Sequence, residues 1–299
     1  MLTLTAADRG QHTNTVLIRF APVVMVLLWS TGFIGTKLSL YYGEPFTLLL
    51  WRCAITAAFM AVVSLLMKAP WPKNIKSIAM ASLVGICIHG FFLSGSYLAV
   101  SQGVTTGIVA LIVGVQPLLT AVAAGLFLGE QITKRQWSGL YLGFIGVVMV
   151  ISNKFSIGTP EFNGTGFAVM SLFGMTIGTL LQKRYGSEID MRTNMVIQFT
   201  AASLAFAVFA VLFETMEVQW SGELILVQAW LVFALSIGAV AITYVLIKLN
   251  SAFEVGSLFY LIPPVVAVLG FLFFGESLDI YGIMGMGVAV SGVALVTRS

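Results

Sequence analysis

Ten long apolar runs constrain this chain more than any other feature of its sequence. They cover residues 18–38, 46–67, 77–98, 105–127, 136–152, 163–182, 194–213, 226–247, 254–274 and 280–297. A helix needs roughly 20 apolar residues to cross a bilayer core about 30 Å thick. Because lipid offers no hydrogen-bond partners, backbone groups in the bilayer must be satisfied within the chain. The runs therefore predict an all-α integral membrane protein with ten transmembrane helices.

Charged residues are scarce and unevenly distributed along the chain. They make up 9% of its 299 residues, against about 25% in soluble domains, which excludes a water-soluble domain and a nucleic-acid binder. With the amino terminus in the cytoplasm, twelve of the fifteen Lys and Arg residues lie on the cytoplasmic side of the ten runs. Membrane proteins carry such an excess in their cytoplasmic loops. We therefore expect both termini in the cytoplasm, with residues 1–17 forming a cytoplasmic tail.

The two halves of the chain are similar to each other. A shift of 146 residues aligns eleven identical residues in 34 positions without a gap. The aligned pairs include Pro117 with Pro263, Gly129 with Gly275, Glu130 with Glu276 and Gly146 with Gly292, and further upstream Lys37 with Lys183. Each half holds five runs, an odd number, so the two copies cross the membrane in opposite directions. Many secondary transporters have this architecture, and we expect inverted five-helix repeats at 18–152 and 163–297 around a central cavity.

The repeated pattern of a proline, a Gly-Glu pair and a later glycine resembles the drug/metabolite transporter superfamily, specifically its ten-helix EamA-type exporters. The resemblance also includes Trp29-Ser30-Thr31-Gly32-Phe33, Arg52 within Leu50-Trp51-Arg52, and Tyr97-Leu98-Ala99. It implies an inner-membrane carrier of small metabolites, usually an exporter. The second half departs from the first, because Met175 stands in the place of Trp29 and Gln198 in the place of Arg52.

Arg52 lies inside the second run, about two helical turns from its outer end. A charge there costs on the order of 2.5–3.5 kcal/mol on insertion scales. One interpretation is a functional role, as the counter-charge for a carboxylate on the cargo or as a gating partner of Glu44. The other interpretation is that the side chain extends to the outer interface. Both interpretations remain open from the sequence.

His89 lies near the middle of the third run. A lone histidine there is more often a packing residue than a proton relay, but its ordinary pKa of about 6.5 makes protons a candidate coupling ion. No carboxylate lies at the middle of any run, so the intramembrane acids typical of proton relays are missing at that depth.

The candidate substrate-binding residues combine aromatic rings with hydrogen-bonding groups, which suits an amphipathic solute such as an amino acid. They are Trp29, Thr31, Phe33, Arg52, His89, Tyr97, Gln116, Met175, Thr176, Thr179, Tyr244 and Tyr260. Packing between helices is the alternative role for each aromatic residue. Pro117, Pro263 and Pro264 are candidate hinges, since proline breaks helices and frees backbone carbonyls.

Three function classes compete, and the first is a secondary transporter whose partners are the lipid bilayer and a small-molecule solute. A membrane-embedded enzyme needs clustered catalytic or metal-binding side chains, and a channel needs a filter or a charged ring. The runs contain neither pattern, and no GxxxxGK[ST] loop for ATP occurs. We therefore expect a transporter without catalytic residues, metal, cofactor, ATP or nucleic acid.

Overall fold

The computed structural model describes residues 6–128, 133–152, 160–186, 189–249, 259–276 and 280–297. These residues form ten helical segments, in agreement with the predicted all-α membrane fold. The segments are α1 Ala6–Ser39, α2 Pro45–Leu66, α3 Ile75–Ser101, α4 106–128, α5 Lys134–Ser152, α6 Pro160–Tyr185, α7 Met191–Phe213, α8 222–249, α9 Ile262–Phe274 and α10 Ile280–Thr297. Six of them, namely α1, α2, α3, α6, α7 and α8, contain stretches long and apolar enough to cross a membrane.

The prolines lie at helix starts. The helix Thr106–Gly114 ends at Val115, and a second helix, Gln116–Leu128, completes α4 with Pro117 in its first turn. Pro263 and Pro264 lie in the first turn of α9, after a 3-10 turn at Phe259–Leu261. A first-turn N–H has no partner within its own helix, so a proline there costs little. The predicted start of the ninth run, at 254, lies outside the described residues.

The packing of the helices follows the repeat. Three helices pack against their own copies, α2 on α7, α4 on α9, and α5 on α10. The other contacts follow the same symmetry. The α3 helix packs on α6, and its copy α8 packs on α1, the copy of α6. Likewise α1 packs on α9, and its copy α6 packs on α4, the copy of α9. A pseudo-two-fold axis in the membrane plane produces this symmetry.

Both copies of one helix contain a wide helical turn. The π-helical stretches are Ile86–Phe91 in α3 and Trp230–Ala239 in α8. The shift of 146 places the first stretch within the second. Because π-helical turns often occur at functional sites, the residues that they carry are the first place to look for one.

Glycines bring α3 close to its two neighbours. A Cβ atom on Gly85 would lie 2.5 Å from the Gln198 carbonyl oxygen in α7. One on Gly95 would lie 2.5 Å from the Phe167 carbonyl oxygen in α6. Small residues permit this close backbone approach in membrane proteins. The π-helical stretch of α3 lies between the two contacts, which fix its position.

Candidate functional site

Arg52 is a buried cation that reaches towards the second repeat. Its side chain is 5% exposed, and its Nε donates a hydrogen bond to Ser236 Oγ at 3.2 Å. Ser236 lies fourteen residues into α8, in the π-helical stretch, which is about 20 Å along a helix that rises 1.5 Å per residue. The guanidinium therefore points into the protein and not to the outer interface. Arg52 forms no salt bridge with any described residue.

Arg52 and Glu44, the suggested gating pair, are not paired in this structure. Glu44 Oε2 accepts hydrogen bonds from the backbone N–H of Thr215 at 2.7 Å and from Thr215 Oγ1 at 2.8 Å. Glu44 precedes the first residue of α2, so the connection between α7 and α8 is nearer to it than Arg52 is.

The side chain of His89, in α3, packs against α7. Its ring stacks on Phe199, with ring centroids 3.9 Å apart and an angle of 20° between the planes. Gln198, which precedes Phe199 in α7, donates from Nε2 to Gln182 Oε1 at 2.8 Å. Asn194 Nδ2 donates to the same oxygen at 3.4 Å. A line of polar side chains thus runs from the neighbourhood of His89 to α6.

A second polar contact joins α4 to α6. Gln116 Nε2 donates to Thr120 Oγ1 at 2.8 Å and to Thr179 Oγ1 at 3.3 Å. The Thr179 hydroxyl in turn donates to the Met175 carbonyl oxygen at 2.7 Å. Thr176 donates to the Leu172 carbonyl oxygen within its own helix, an arrangement that uses the hydroxyl hydrogen locally.

Trp29 lies where the two hydrophobic clusters of the core meet, and it contacts both of them. Its Nε1 donates to Thr243 Oγ1 in α8 at 3.3 Å, and its ring meets Phe259 edge-on at 5.3 Å. Phe33, one turn further along α1, is buried in the first of these clusters. The aromatic face of α1 therefore points towards α8 and α9.

Other predicted site residues lie apart from this group. Thr31 accepts a hydrogen bond from the exposed Trp230 at 3.0 Å, on the outward side of α1. Tyr97 is fully buried and packs in the second cluster, with Met175 against it. The side chains of Tyr244 and Tyr260 lie outside the described residues.

The sequence reasoning did not select Gln182, which accepts two of the amide hydrogen bonds above, or the group around Glu276. The Glu276 carboxylate accepts from the Thr106 backbone N–H at 2.9 Å and from Thr106 Oγ1 at 2.7 Å. Lys37 Nζ lies 2.6 Å from its other oxygen. The repeat carried the signal for this group, because both Lys37 and Glu276 have identical residues in the other half. The corresponding Glu130 lies outside the described residues.

The outer ends of α2 and α7 are also joined. Glu214, at the end of α7, accepts hydrogen bonds from the N–H groups of Phe46 and Thr47 at 2.7 Å each. Beside them, Gly43 and Val218 form an isolated antiparallel bridge. Tyr42 donates its phenolic proton to Glu223, and this hydrogen bond raises the pKa of Tyr42.

The described residues contain no group of three or more His, Cys, Asp and Glu side chains that could hold a metal ion. The chemistry that they offer is that of a binding site, with one buried cation, several amide and hydroxyl groups, and aromatic rings.

Comparison with known proteins identifies relatives over nearly the whole chain. The model of the EamA-like transporter family matches residues 17–152 and again 163–298. The uncharacterized transporter YvbV of Bacillus subtilis is 26% identical, over 91% of this chain and 88% of its own length. The uncharacterized inner membrane transporter YedA of Escherichia coli is 25% identical, over 91% and 88%.

A probable terminal-alkyne amino-acid exporter of Streptantibioticus cattleyicolor is 24% identical, over 93% of both chains. One crystal structure has a TM-score of 0.68 at 17% sequence identity, over 94% of this chain and 96% of its own. At that identity the structural likeness concerns the fold.

Proposed function

Because the chain belongs to the EamA-like transporter family, we propose that it is a secondary carrier that exports small amphipathic metabolites, amino acids or related compounds. The solute binds between the two repeats, and the carrier exposes it to each side of the inner membrane in turn. Family membership makes the chain a multi-pass membrane transporter and removes the membrane-embedded enzyme from the alternatives. A passive channel is the alternative that the transport experiment below separates.

The observation that carries this proposal is that Arg52 is buried and has no salt bridge among the described residues. A cation held inside a membrane helix is costly, and such residues mark substrate pathways by default. Arg52 has a serine hydroxyl as its hydrogen-bond partner and no salt bridge among the described residues. A guanidinium presents five N–H donors in a planar fork that matches a carboxylate. A solute carboxylate would supply the missing negative charge.

The groups around the path of the solute fit the remainder of an amphipathic molecule. Trp29 and Phe33 offer apolar surface at the junction of α1, α8 and α9. His89, Gln116 and Thr179 offer hydrogen-bonding groups. An amino acid presents the same combination of a charged end and an apolar side chain. The name of the exporter from Streptantibioticus cattleyicolor agrees with this substrate class.

Topology and coupling are part of the proposal. The Lys and Arg distribution supports cytoplasmic termini, and the name of the Escherichia coli relative supports the inner membrane. Protons are the candidate coupling ion, with His89 as the group that would carry them. Its stacking on Phe199, which follows Gln198 in α7, keeps the ring close to the polar line that ends at Gln182.

Counterflow in proteoliposomes tests this function. Vesicles loaded with an unlabelled amino acid take up the labelled one, and a panel of amino acids is compared with the amines that lack the carboxylate. We expect saturable exchange of the amino acids, which the amines do not inhibit. Unsaturable flux would favour a channel, and equal inhibition by the amines would remove the carboxylate from recognition.

The Arg52→Ala variant links the activity to the site. We expect exchange to fall at least about 30-fold, because losing one partner of a buried charge pair costs about 2–5 kcal/mol. Trp51→Ala is the matched control, since its ring is 44% exposed and faces outward from the same turn of α2. Wild-type exchange by Arg52→Ala would contradict the proposed site.

A further inference from the structure

Lys37, Thr106 and Glu276 form a contact, here called the outer clasp, that joins three helices. Lys37 lies in the last turn of α1, Thr106 begins α4, and Glu276 follows α9. With the amino terminus in the cytoplasm, all three residues lie at the outer end of the protein. Because α4 and α9 pack against each other and α1 packs on α9, the clasp lies where the two repeats meet.

The contacts of the outer clasp use both carboxylate oxygens. Glu276 Oε1 lies 2.6 Å from Lys37 Nζ, and Oε2 accepts from the N–H and the hydroxyl of Thr106 at 2.9 and 2.7 Å. The carboxylate thus caps the first turn of α4, where a negative charge is favourable. The capping position itself, Thr105, makes no side-chain cap hydrogen bond. Glu276, which follows α9 in the second repeat, thus caps a helix of the first repeat.

The outer clasp is largely shielded from solvent. The Glu276 side chain is 8% exposed and the Lys37 side chain is 26% exposed. Lys37 Nζ also lies 4.6 Å from the centre of the Phe274 ring. Gly270 leaves room for the carboxylate, since a Cβ there would lie 2.7 Å from Glu276 Oε2. When one partner of a charge pair this well shielded from water is removed, the folded protein loses much stability.

The sequence repeat retains both charged residues of the clasp. The shift of 146 places Lys37 on Lys183 and Glu276 on Glu130. Lys183 lies in the last turn of α6, the copy of α1. By contrast, the repeat retains neither Trp29 nor Arg52.

We propose that the outer clasp is a latch that holds the outer end of the transporter closed. This inference rests on the proposed alternating access. When the latch opens, the outer ends of the two repeats separate and the solute site faces that side.

Distances between spin labels on the outer side test the outer latch without any solute. The labels are attached at Tyr41→Cys, after α1 of the first repeat, and at Ile280→Cys, the first residue of α10 in the second repeat, both exposed, with Cys53 and Cys87 replaced by alanine. We expect one short distance in the wild type. In Glu276→Gln the ratio of the long to the short population rises at least about tenfold, as expected for the loss of a buried charge.

Four further variants separate a latch from a general loosening of the fold. Lys37→Arg keeps the charge and should keep the short distance, whereas Lys37→Met should lengthen it. Gly270→Ala should also lengthen it, since its Cβ would collide with Glu276. Gly287→Ala is the matched control, because no atom lies within 4 Å of the Cβ that it adds. If Glu276→Gln does not insert, Lys37→Met and Gly270→Ala carry the test.

Two outcomes decide between the latch and its alternatives. An unchanged distance in Glu276→Gln, or the same change in Gly287→Ala, overturns the outer latch. Loss of counterflow with every amino acid, while the distance shifts persist, would overturn the proposed solute and leave the latch standing.

Discussion

The two repeats have kept their backbone and changed their chemistry. Each contains a π-helical stretch in its third helix, and each uses its helices to make the same set of contacts. Yet Arg52 in one copy corresponds to Gln198 in the other, and Trp29 corresponds to Met175. If the proposed function holds, this difference means that the solute site takes its charge from the first repeat, whereas the backbone framework is common to both repeats.

Exchanging the residues at positions 52 and 198 has the largest expected effect on transport. In the double variant Arg52→Gln with Gln198→Arg, the cation faces α3 and α6 in place of α8. Ser236, the partner of Arg52, corresponds to Gly90, which offers no side-chain acceptor. We therefore expect amino-acid counterflow to fall at least about 30-fold.

Insertion, measured by the amount of folded protein recovered from membranes, is the control for this exchange. Recovery of wild-type exchange by the double variant would show that the two positions are equivalent and would contradict a site built in one repeat.

The two copies of the third helix, α3 and α8, also differ at the position where α3 closely contacts α6, and this difference affects stability. Gly95 corresponds to Ala241 in α8, so the two copies differ by one methyl group. Gly95→Ala should lower stability by about 1–3 kcal/mol, because its Cβ would meet the Phe167 carbonyl oxygen and the helices must separate. Thermal unfolding in detergent measures the loss.

Gly166→Ala in α6 is the matched control for that substitution, since a Cβ there meets nothing within 4 Å. Equal unfolding temperatures for Gly95→Ala and Gly166→Ala would rule out the tight contact.

The α2–α7 pair differs between its two ends. Where α2 begins and α7 ends, Glu214 accepts hydrogen bonds from two N–H groups and from the Thr47 hydroxyl. At the opposite end of the pair, Thr193 donates a hydrogen bond to the Pro70 carbonyl oxygen. Glu214→Gln should lower stability by about 1–2 kcal/mol, because a capping charge is lost, and Thr193→Val by about 1 kcal/mol or less. Unfolding in detergent that orders the two variants the other way would refute this ranking.

The smallest effect concerns Asp190, the cap of α7 on the cytoplasmic side. Hydrogen bonds from Arg192 hold the pKa of Asp190 below its usual value of 3.8. Its contribution is therefore complete above that pH and is lost as the pH falls further. Asp190→Asn should cost up to about 1 kcal/mol near pH 7. The difference from the wild type should shrink below pH 3.8, and a constant difference would exclude the charge as its cause.

The sequence predicts the fold well because membrane helices leave a strong and local signal. Run lengths give the helices and the shift of 146 gives the two repeats, and the same shift links Lys37 to Lys183. The direction in which a side chain points is harder to predict. Trp29 and Thr31 are two residues apart and both contact α8, yet Trp29 meets Thr243 beside the core clusters, whereas Thr31 meets the exposed Trp230.

The partners of charged groups were also beyond the sequence. Glu44 and Arg52 belong to the same helix end, but Glu44 is taken by Thr215, which is distant in the chain. In the sequence, Gln182 is a polar residue near a helix end, and only the fold brings the Gln198 amide into hydrogen-bond distance of it. Such pairings depend on how two helices rotate against each other, which the hydrophobic pattern leaves undetermined.

Access to Ser236 tests the central claim most directly, since this residue contacts Arg52 between the repeats. A Ser236→Cys variant without Cys53 and Cys87 is treated with a membrane-impermeant thiol reagent from either face of sealed vesicles. The account predicts labelling from both faces, and protection by the amino acid that is exchanged but not by its amine. Labelling from one face alone, or no protection by any exchanged amino acid, would contradict a solute site that faces the two sides in turn.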